Sequence, residues 1–388
     1  MKKILYLSFY FEPDLCAGSF RNSPLAKELA RQAEGKATID IVTTLPNRYN
    51  TFDTEAPAFE ERGNITINRI LIPKHKSGFM DQINSFKTYF SEAQKIVKSK
   101  KYDLVFASSS RLFTAYLGYK IAKKKNIPLY LDIRDIFIDT MQDVLQNKAV
   151  KAGVIPVLKS IEKRVFNYAS HINLISGGFE PYFTKYKKAK YSSFSNGIDP
   201  EFMNLSPTVF ANKEQRLITY AGNMGEGQGL HKIIPQAAKA LGSKYKFLVI
   251  GDGGVKQKLV DGIAEHGVTN VELRGPVSRK ELLAIYAESD FLFLHLNDYN
   301  AFKKVLPSKV FELGAYDKPI IAGVAGFANQ FIAKNIPNRI LFLPGDVNDM
   351  VGQLNNYEYS LGFRNEFLHS FKREQINKEM ATSILSYL

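Results

Sequence analysis

Short apolar runs rich in Ile, Leu, Val, Phe and Tyr alternate along the chain with longer stretches in which apolar residues recur every three or four positions. ILYLSFY, TIDIVTT, ITINRILI, DLVFASS, PLYLDIRD and HINLIS form a first series, separated by helical stretches through LAKELARQ, near 80–100, near 112–125 and ahead of HINLIS. The rhythm restarts after about residue 212. RLITYAGN, YKFLVIGDG, VELRGPV, DFLFLHL and KPIIAG then alternate with helices through IIPQAAKAL, near 255–266, at ELLAIYAES and at PSKVFELGAY. Such alternation predicts an α/β protein in which a parallel sheet is covered by helices, here twice in tandem. Between the two series, SNGIDPEFMNLSPTVFANKEQ has Pro, Asn and Gly with weak periodicity and reads as a linker near 197–214. A last helical stretch, from about Phe371 to Leu388, lies beyond the second series of strands.

The length, 388 residues, also points to two domains. MKKILYLSFYF opens with two lysines and an apolar run, but Glu12, Pro13 and Asp14 interrupt it, so it reads as a first strand and not a signal peptide. No stretch approaches the roughly 20 apolar residues that span a bilayer. Cys16 is the only cysteine, which excludes an intrachain disulfide and any Cys-rich metal centre and fits a reducing compartment. Charge changes the picture more. Residues 1–199 hold 31 Lys and Arg against 19 Asp and Glu, whereas residues 200–388 hold 21 against 19. A basic half beside a nearly neutral one suits an anionic partner, such as phosphate-bearing lipid or nucleic acid; a merely solubilising surface is the plain alternative.

Ligands of open parallel sheets bind where strands end and helix N-termini present unpaired N–H groups. Gly18 and Ser19 precede a helix in FEPDLCAGSFRNSPLAKEL. Gly222, Gly225, Gly227 and Gly229 in YAGNMGEGQGL have phosphate-loop character, without the GxGxxG spacing or the Walker lysine. Gly251 and Asp252 in VIGDGG permit close backbone approach, and a tight turn explains them equally well. In VLPSKVFELGAYDKPIIAG, Pro307 and Ser308 suit a helix start; Lys309 is placed to meet a phosphate and Glu312, one turn on, to accept from ribose hydroxyls. The plain alternative makes Ser308 a cap and Lys309 and Glu312 a solvated face.

In this order the segments resemble the family 4 glycosyltransferases, retaining enzymes of the GT-B fold. The likeness is greatest to the branch that builds bacterial surface polysaccharides, including the L-fucosamine transferases assigned to O-antigen pathways. PLYLDIRDIF, NLISGG, FSNGID, LRGPVSRKELLAIYAESDFLFLHL, LPSKVFELGA and KPIIAG carry it together with the three glycine loops, nearly end to end. The resemblance implies two Rossmann-like domains facing each other across a cleft. Residues 1–199 would be the acceptor-side domain, joined by a terminal helix, 372–388, that crosses back to it, and residues 200–371 the nucleotide-sugar domain. It further implies that Glu312 binds the donor ribose, that Lys309 with Asn223 and Gln228 holds the diphosphate, and that backbone near Gly275 and Val277 receives the base. Arg134 and Asp135 would line the cleft by the transferring sugar and, with Lys309, form the catalytic set.

Three departures qualify this. The wider family has Arg and Lys where the glycine loop has Asn223 and Gln228, it has a glutamate eight positions before Glu312 where this chain has Lys304, and its cleft histidine is replaced by the DIRD segment. No two Asp occur at i and i+2, so the DxD metal motif is missing and no metal or other cofactor is expected. By family inference, retention would proceed by front-face attack, with the leaving phosphate taking the acceptor's proton. The expected partners are a nucleotide-sugar, UDP by default for this branch, a lipid-diphosphate-linked sugar, and an anionic membrane surface on the cytoplasmic side.

The stretch FMDQINSFKTYFSEAQKIVKSKK interleaves Phe79, Phe86, Tyr89 and Phe90 with lysines and reads either as a segment lying on anionic lipid or as a core helix with a solvated lysine end. Lys123, Lys124, Lys125 and the run KYKKAK at 185–190 add to the basic surface. Two rival readings remain: an enzymatic one, a sugar-nucleotide epimerase, and a catalytically silent subunit that keeps the fold. A nucleic-acid partner is not expected, because no helix-turn-helix, zinc-finger or RNP-like pattern occurs.

Overall fold

A computed structural model describes residues 1–14, 16–47, 55–73, 79–109, 111–145 and 147–388. The chain divides into two compact units, one of residues 1–196 with 373–388 and the other of residues 197–372. The first contains β1 (Lys2–Ser8), α1 (Ala17–Gln32), β2 (Ala37–Thr44), β3 (Phe59–Arg62), β4 (Ile65–Ile70), α2 (Phe79–Val97), β5 (Leu104–Ser109), α3 (Leu112–Lys125), β6 (Leu129–Ile133), α4 (Phe137–Val144), α5 (Lys148–Tyr168), β7 (His171–Leu174), α6 (Glu180–Phe183) and β8 (Lys190–Ser192). Its strands pair in the order β3-β4-β2-β1-β5-β6-β7-β8, parallel except for the β3–β4 hairpin. Central strands such as β5 are buried along their whole length, as expected where helices cover both faces of a sheet.

The second unit contains β9 (Arg216–Asn223), α7 (Leu230–Leu241), β10 (Tyr245–Asp252), α8 (Lys256–His266), β11 (Val271–Arg274), α9 (Arg279–Glu288), β12 (Phe291–His295), α10 (Lys309–Gly314), β13 (Ile320–Gly323), α11 (Gly326–Asn335), β14 (Arg339–Phe342), α12 (Val347–Asn355) and α13 (Asn365–Ser370). Its sheet runs β11-β10-β9-β12-β13-β14, all parallel. This is the doubly wound order, with the direction of winding reversing between β9 and β12. The first unit has the same reversal between β1 and β5.

The final helix, α14 (Arg373–Leu385), belongs to the first unit. Met380, Ala381 and Ile384 join the core built by α1 and β1, and Thr382 Oγ1 donates to Gln32 Oε1 over 2.9 Å. The chain therefore passes between the units twice. The two passages are joined, since Ile198 N–H donates to the Phe371 carbonyl (2.7 Å) and Ile198 bridges to Lys372.

The stretch expected to be a linker is partly core. Ile198 and Phe202 are buried in the second unit, where two isolated apolar residues pack without any periodicity that a sequence pattern would reveal. In α2, Phe86 and Tyr89 also face inward, and the Tyr89 hydroxyl donates to the Val42 carbonyl over 2.9 Å, so neither ring stands on the outer surface of the helix. The side chain of Phe79 lies outside the described part. Of the run at 185–190, Lys185 sits over the Tyr182 ring at 4.0 Å and Lys190 opens β8. No helix among the described residues is long and apolar enough to cross a membrane.

Candidate active site

In the second unit the expected donor residues form two adjoining groups. The first is the glycine loop after β9. Asn223 Nδ2 donates to Gln228 Oε1 (2.9 Å), which also accepts from the Gly225 N–H (3.3 Å). Gln228's oxygen is thereby fixed inward, and its amide N–H2 is the half directed elsewhere. The Met224 N–H donates to the Asp252 carbonyl (2.8 Å), which joins this loop to the turn after β10. Gly251, at φ +134°, passes so close to β9 that a Cβ there would stand 1.9 Å from the Gly222 oxygen; the close approach expected of this glycine is to the neighbouring strand. Asp252 caps its own turn by accepting from the Gly253 N–H (2.9 Å).

The loop is held from below by His295, the last residue of β12. Its Nδ1 lies 2.6 Å from the Gln228 carbonyl, and its Nε2 accepts from the Gly345 N–H at 3.0 Å, which fixes the neutral Nδ1–H tautomer. Burial pushes its pKa down to about 4, so the ring carries no charge at neutral pH. Asn297, two residues on, donates from its backbone N–H to the Gly227 carbonyl (2.8 Å) and from Nδ2 to the Glu226 carbonyl (3.0 Å).

The second group is centred on α10. Lys309 and Glu312 are not a solvated face: their side chains are only 23% and 9% exposed, and Lys309 Nζ donates to Glu312 Oε2 over 3.0 Å. Burial works to lower the lysine's pKa, but the charge and hydrogen bond of Glu312, with Tyr286 and Tyr220, together outweigh it and the net shift is upward, so the ammonium is held charged. Arg279 Nη1 stands 3.4 Å from the other Glu312 oxygen. The same guanidinium donates to Asp199 Oδ2 (2.7 Å) and Glu201 Oε1 (2.9 Å) and lies over the Phe202 ring. Ser308 precedes α10 without a side-chain cap, and Pro307 stands before it. Gly275 and Val277 lie in the loop between β11 and α9, immediately ahead of Arg279; Val277 leans on the core. Lys304 closes a short 3-10 turn, Ala301–Lys304.

The two groups meet through Tyr220. Its hydroxyl donates to the Asn223 carbonyl (2.7 Å), and its ring is close enough to Lys309 to contribute to the lysine's raised pKa. Arg279, Asp199, Glu201 and His295 were absent from the sequence expectation. Arg279 had a signal, because Ser278 and Glu281 form a capping box that sets Arg279 at the first position of α9. The two acids had none.

In the first unit the DIRD segment separates into three roles. Asp132 is fully buried and accepts from Arg21 Nε and Nη2 (both 2.8 Å), Ser108 Oγ (3.1 Å) and Asn173 Nδ2 (2.8 Å). Arg21 also donates to the Ser195 and Phe194 carbonyls. Arg134 is different. Its Nε is buried and has no hydrogen-bond partner among the described residues. Burial lowers its pKa, Asp132 opposes this, and Arg21 adds to the lowering. A Cβ on Gly18 would stand 3.0 Å from Arg134 Nη1, so the first turn of α1 comes directly against the guanidinium at Gly18; Ser19, the next residue, is buried. Asp135 is surrounded by protein yet still reached by solvent; burial, opposed by the Thr140 hydroxyl, pushes its carboxyl up to about 6.

Residues 204–367, nearly the whole of the second unit, match the family model described as glycosyl transferases group 1. This unit is a group 1 glycosyltransferase domain. Over 327 residues the chain is 21% identical to WcaI of Escherichia coli (strain K12), assigned to colanic acid biosynthesis as a glycosyl transferase; the match covers 79% of this chain and 80% of that protein. Among solved structures, sucrose-phosphate synthase from Thermosynechococcus elongatus superposes with a TM-score of 0.75 at 14% identity, covering 100% and 99% of the two chains. Anabaena Alr3699/HepE, in complex with UDP and glucose, superposes with 0.69 at 15% identity over all of both chains. The chain is a glycosyltransferase of the GT-B fold, with the group 1 match over residues 204–367, which is the coarser part of the expectation. Among the described residues no three His, Cys, Asp or Glu side chains are grouped as metal ligands.

Proposed function

We propose that this glycosyltransferase moves a sugar from a UDP-sugar onto a lipid-diphosphate-linked sugar during assembly of a bacterial surface polysaccharide, working at the cytoplasmic face of the membrane. The observation that carries the donor reading is the buried Lys309–Glu312–Arg279 cluster beside the glycine loop, at the reversal of the second sheet. An ammonium carries three donors, so Lys309 has donors beyond the one Glu312 accepts and can meet a diphosphate. Glu312, oriented by two cations, keeps lone pairs for ribose hydroxyls. The N–H2 of Gln228 and backbone N–H groups of the glycine loop serve the phosphate as neutral donors, in place of the family's Arg and Lys. UDP in the HepE complex and the name of WcaI support the donor and the pathway class.

Transfer with retention would form the bond between the acceptor oxygen and the anomeric carbon on the face from which the UDP oxygen departs. The acceptor's proton passes to a phosphate oxygen of the leaving UDP. Charge on that phosphate is neutralised by Lys309 without a metal, and positioning supplies the rest. Arg134, held against Gly18, supplies the acceptor-side domain with a cation directed at anionic groups near the transferring sugar. Asp135 beside it contributes a carboxyl that titrates near pH 6.

Calorimetric titration with UDP and with GDP, EDTA present, tests the donor half. Selective UDP binding, weakened about tenfold or more in Glu312→Ala, is expected. Unchanged binding in the variant would remove the assignment. The epimerase and silent-subunit readings are separated from transfer by incubating UDP-sugars with and without a polyprenyl-diphosphate acceptor.

A further inference from the structure

The first unit contains an apolar cavity of about 470 Å3 among α2, α3, α4 and α5, walled by Phe86, Phe90, Phe113, Phe137, Met141 and Leu158. The volume is that of a small-molecule site. The walls are fixed by ring packing: Phe86 to Phe113 at 5.7 Å, Phe113 to Phe137 at 5.8 Å, and Phe90 stacked on Tyr116 at 6.0 Å. Leaving this much aromatic surface wet is unfavourable, and an aliphatic chain that displaces the water recovers the difference.

Two cations, Lys87 and Arg111, stand among the lining residues, and neither has an ion-pair partner among the described residues. Arg111 is held over the Phe9 ring at 5.0 Å. An apolar chamber with unpaired cations suits an amphiphile that has an anionic head and a hydrocarbon tail. The chamber also adjoins the residues proposed to face the acceptor. The Arg134 N–H bonds to the Ser109 carbonyl (2.9 Å), two residues before Arg111, and Phe137 follows Asp135 by two residues.

The surrounding surface has the same character. On α5, Val150, Val154 and Val157 make an exposed stripe at helical spacing, and Val144 at the end of α4 is exposed as well. On the other side of Tyr116, a depression is lined by Lys95, Lys98, Lys120, Lys123, Lys124 and Arg164. Apolar residues beside a cationic basin fit the boundary of an anionic bilayer, from which a lipid tail would enter.

We propose that this cavity holds the prenyl end of the diphosphate-linked acceptor, with Arg111 and Lys87 meeting its diphosphate. The proposal rests on the lipid-linked acceptor reading above and specifies where the lipid sits. A diphosphate matches two cations, and its position next to Arg134 and Asp135 directs the attached sugar toward the reacting groups.

Farnesyl diphosphate, inorganic diphosphate and farnesol are titrated into the full chain by calorimetry. Farnesyl diphosphate is expected to bind saturably and at least about tenfold more tightly than either half alone. Val154→Asp, at a half-exposed position that leaves the fold intact, should weaken it about tenfold by placing a charge beside the tail. Arg111→Glu should weaken farnesyl diphosphate and spare farnesol. The chain has no tryptophan, so Phe137→Trp adds a single fluorophore whose emission should shift to the blue on binding. Farnesyl diphosphate binding no better than inorganic diphosphate, or indifference to Val154→Asp, would overturn the proposal. So would phosphatidylglycerol vesicles without prenyl lipid that compete fully for the site, since the cavity would then take ordinary acyl chains. UDP binding in the same samples reports on the donor reading separately. A chain that binds UDP but not farnesyl diphosphate loses only the cavity proposal, whereas one that binds farnesyl diphosphate but not UDP keeps it and loses the donor assignment.

Discussion

Each unit places buried charge at the carboxyl ends of its sheet, and the two clusters are satisfied differently. In the first unit, Arg21 and Asp132 bond each other twice, and Ser108 and Asn173 complete the carboxylate's coordination. Arg134, two residues from Asp132, has a buried Nε with no partner among the described residues. In the α10 cluster of the second unit no cation is left in that condition: Arg279 bridges three carboxylates and Lys309 shares one of them, while Arg364, whose buried Nε is also unpartnered, is compensated by the backbone carbonyls that its terminal nitrogens meet. The difference separates charge that holds a fold from charge kept for a ligand. A buried ion with complete hydrogen bonding is compensated by the protein, whereas one without it costs stability and is the better candidate for a group that a ligand completes.

Breaking the compensated pair should have the largest effect. Arg21→Met leaves Asp132 buried and uncompensated, and denaturant unfolding should show a loss of about 3–5 kcal/mol. Asp132→Asn in the same chain should restore part of this. Arg134→Met is expected to do the opposite: stability unchanged or higher, with sugar transfer reduced about 100- to 1000-fold, as when one preorganised electrostatic contact is removed. If Arg134→Met unfolds the protein, the contrast between the two arginines fails. Lys309→Met should weaken UDP binding by about tenfold to a hundredfold. Its effect on stability should be smaller than that of Arg21→Met, because Arg279 still faces Glu312.

Asp135 gives the smallest effect and the clearest sign. Its folded pKa of about 6 lies above the ordinary carboxylate value of 3.8, so the protonated form is favoured by folding. Its stabilising contribution is present in acid below pH 3.8 and is lost as pH rises through 6. Asp135→Asn should therefore stabilise the protein at pH 8 by about 1–2 kcal/mol relative to the parent and leave it unchanged at pH 3.5. Thermal melts at the two pH values check this.

The alternation of apolar runs and amphipathic helices was enough to find most strands of both sheets, because buried parallel strands are continuously apolar. β3, β8 and β14 escaped because they are only three or four residues long and partly exposed. Lys309 and Glu312 were legible as a pair at one helical turn. Their burial was not, since it depends on Arg279 arriving from 33 positions away and bringing Asp199 and Glu201 with it. The same holds for DIRD. The segment drew notice for its charges, yet which of them is compensated depends on Arg21, Ser108 and Asn173, all supplied by other elements. The inward turn of Phe86 and Tyr89 on α2 is likewise decided by what lies beneath the helix, because its periodicity is the same for a core and for a bilayer.

The return of α14 to the first unit bears on how the molecule is made. Its core residues Met380, Ala381 and Ile384 are synthesised after the whole of the second unit. During translation the first unit therefore waits, with the apolar groove beside α1 uncovered, while residues 197–372 emerge and close their own sheet. The younger domain can reach its finished state before the older one does. For that interval the groove on α1 is a natural handhold for a chaperone, which the arrival of the last helix would displace.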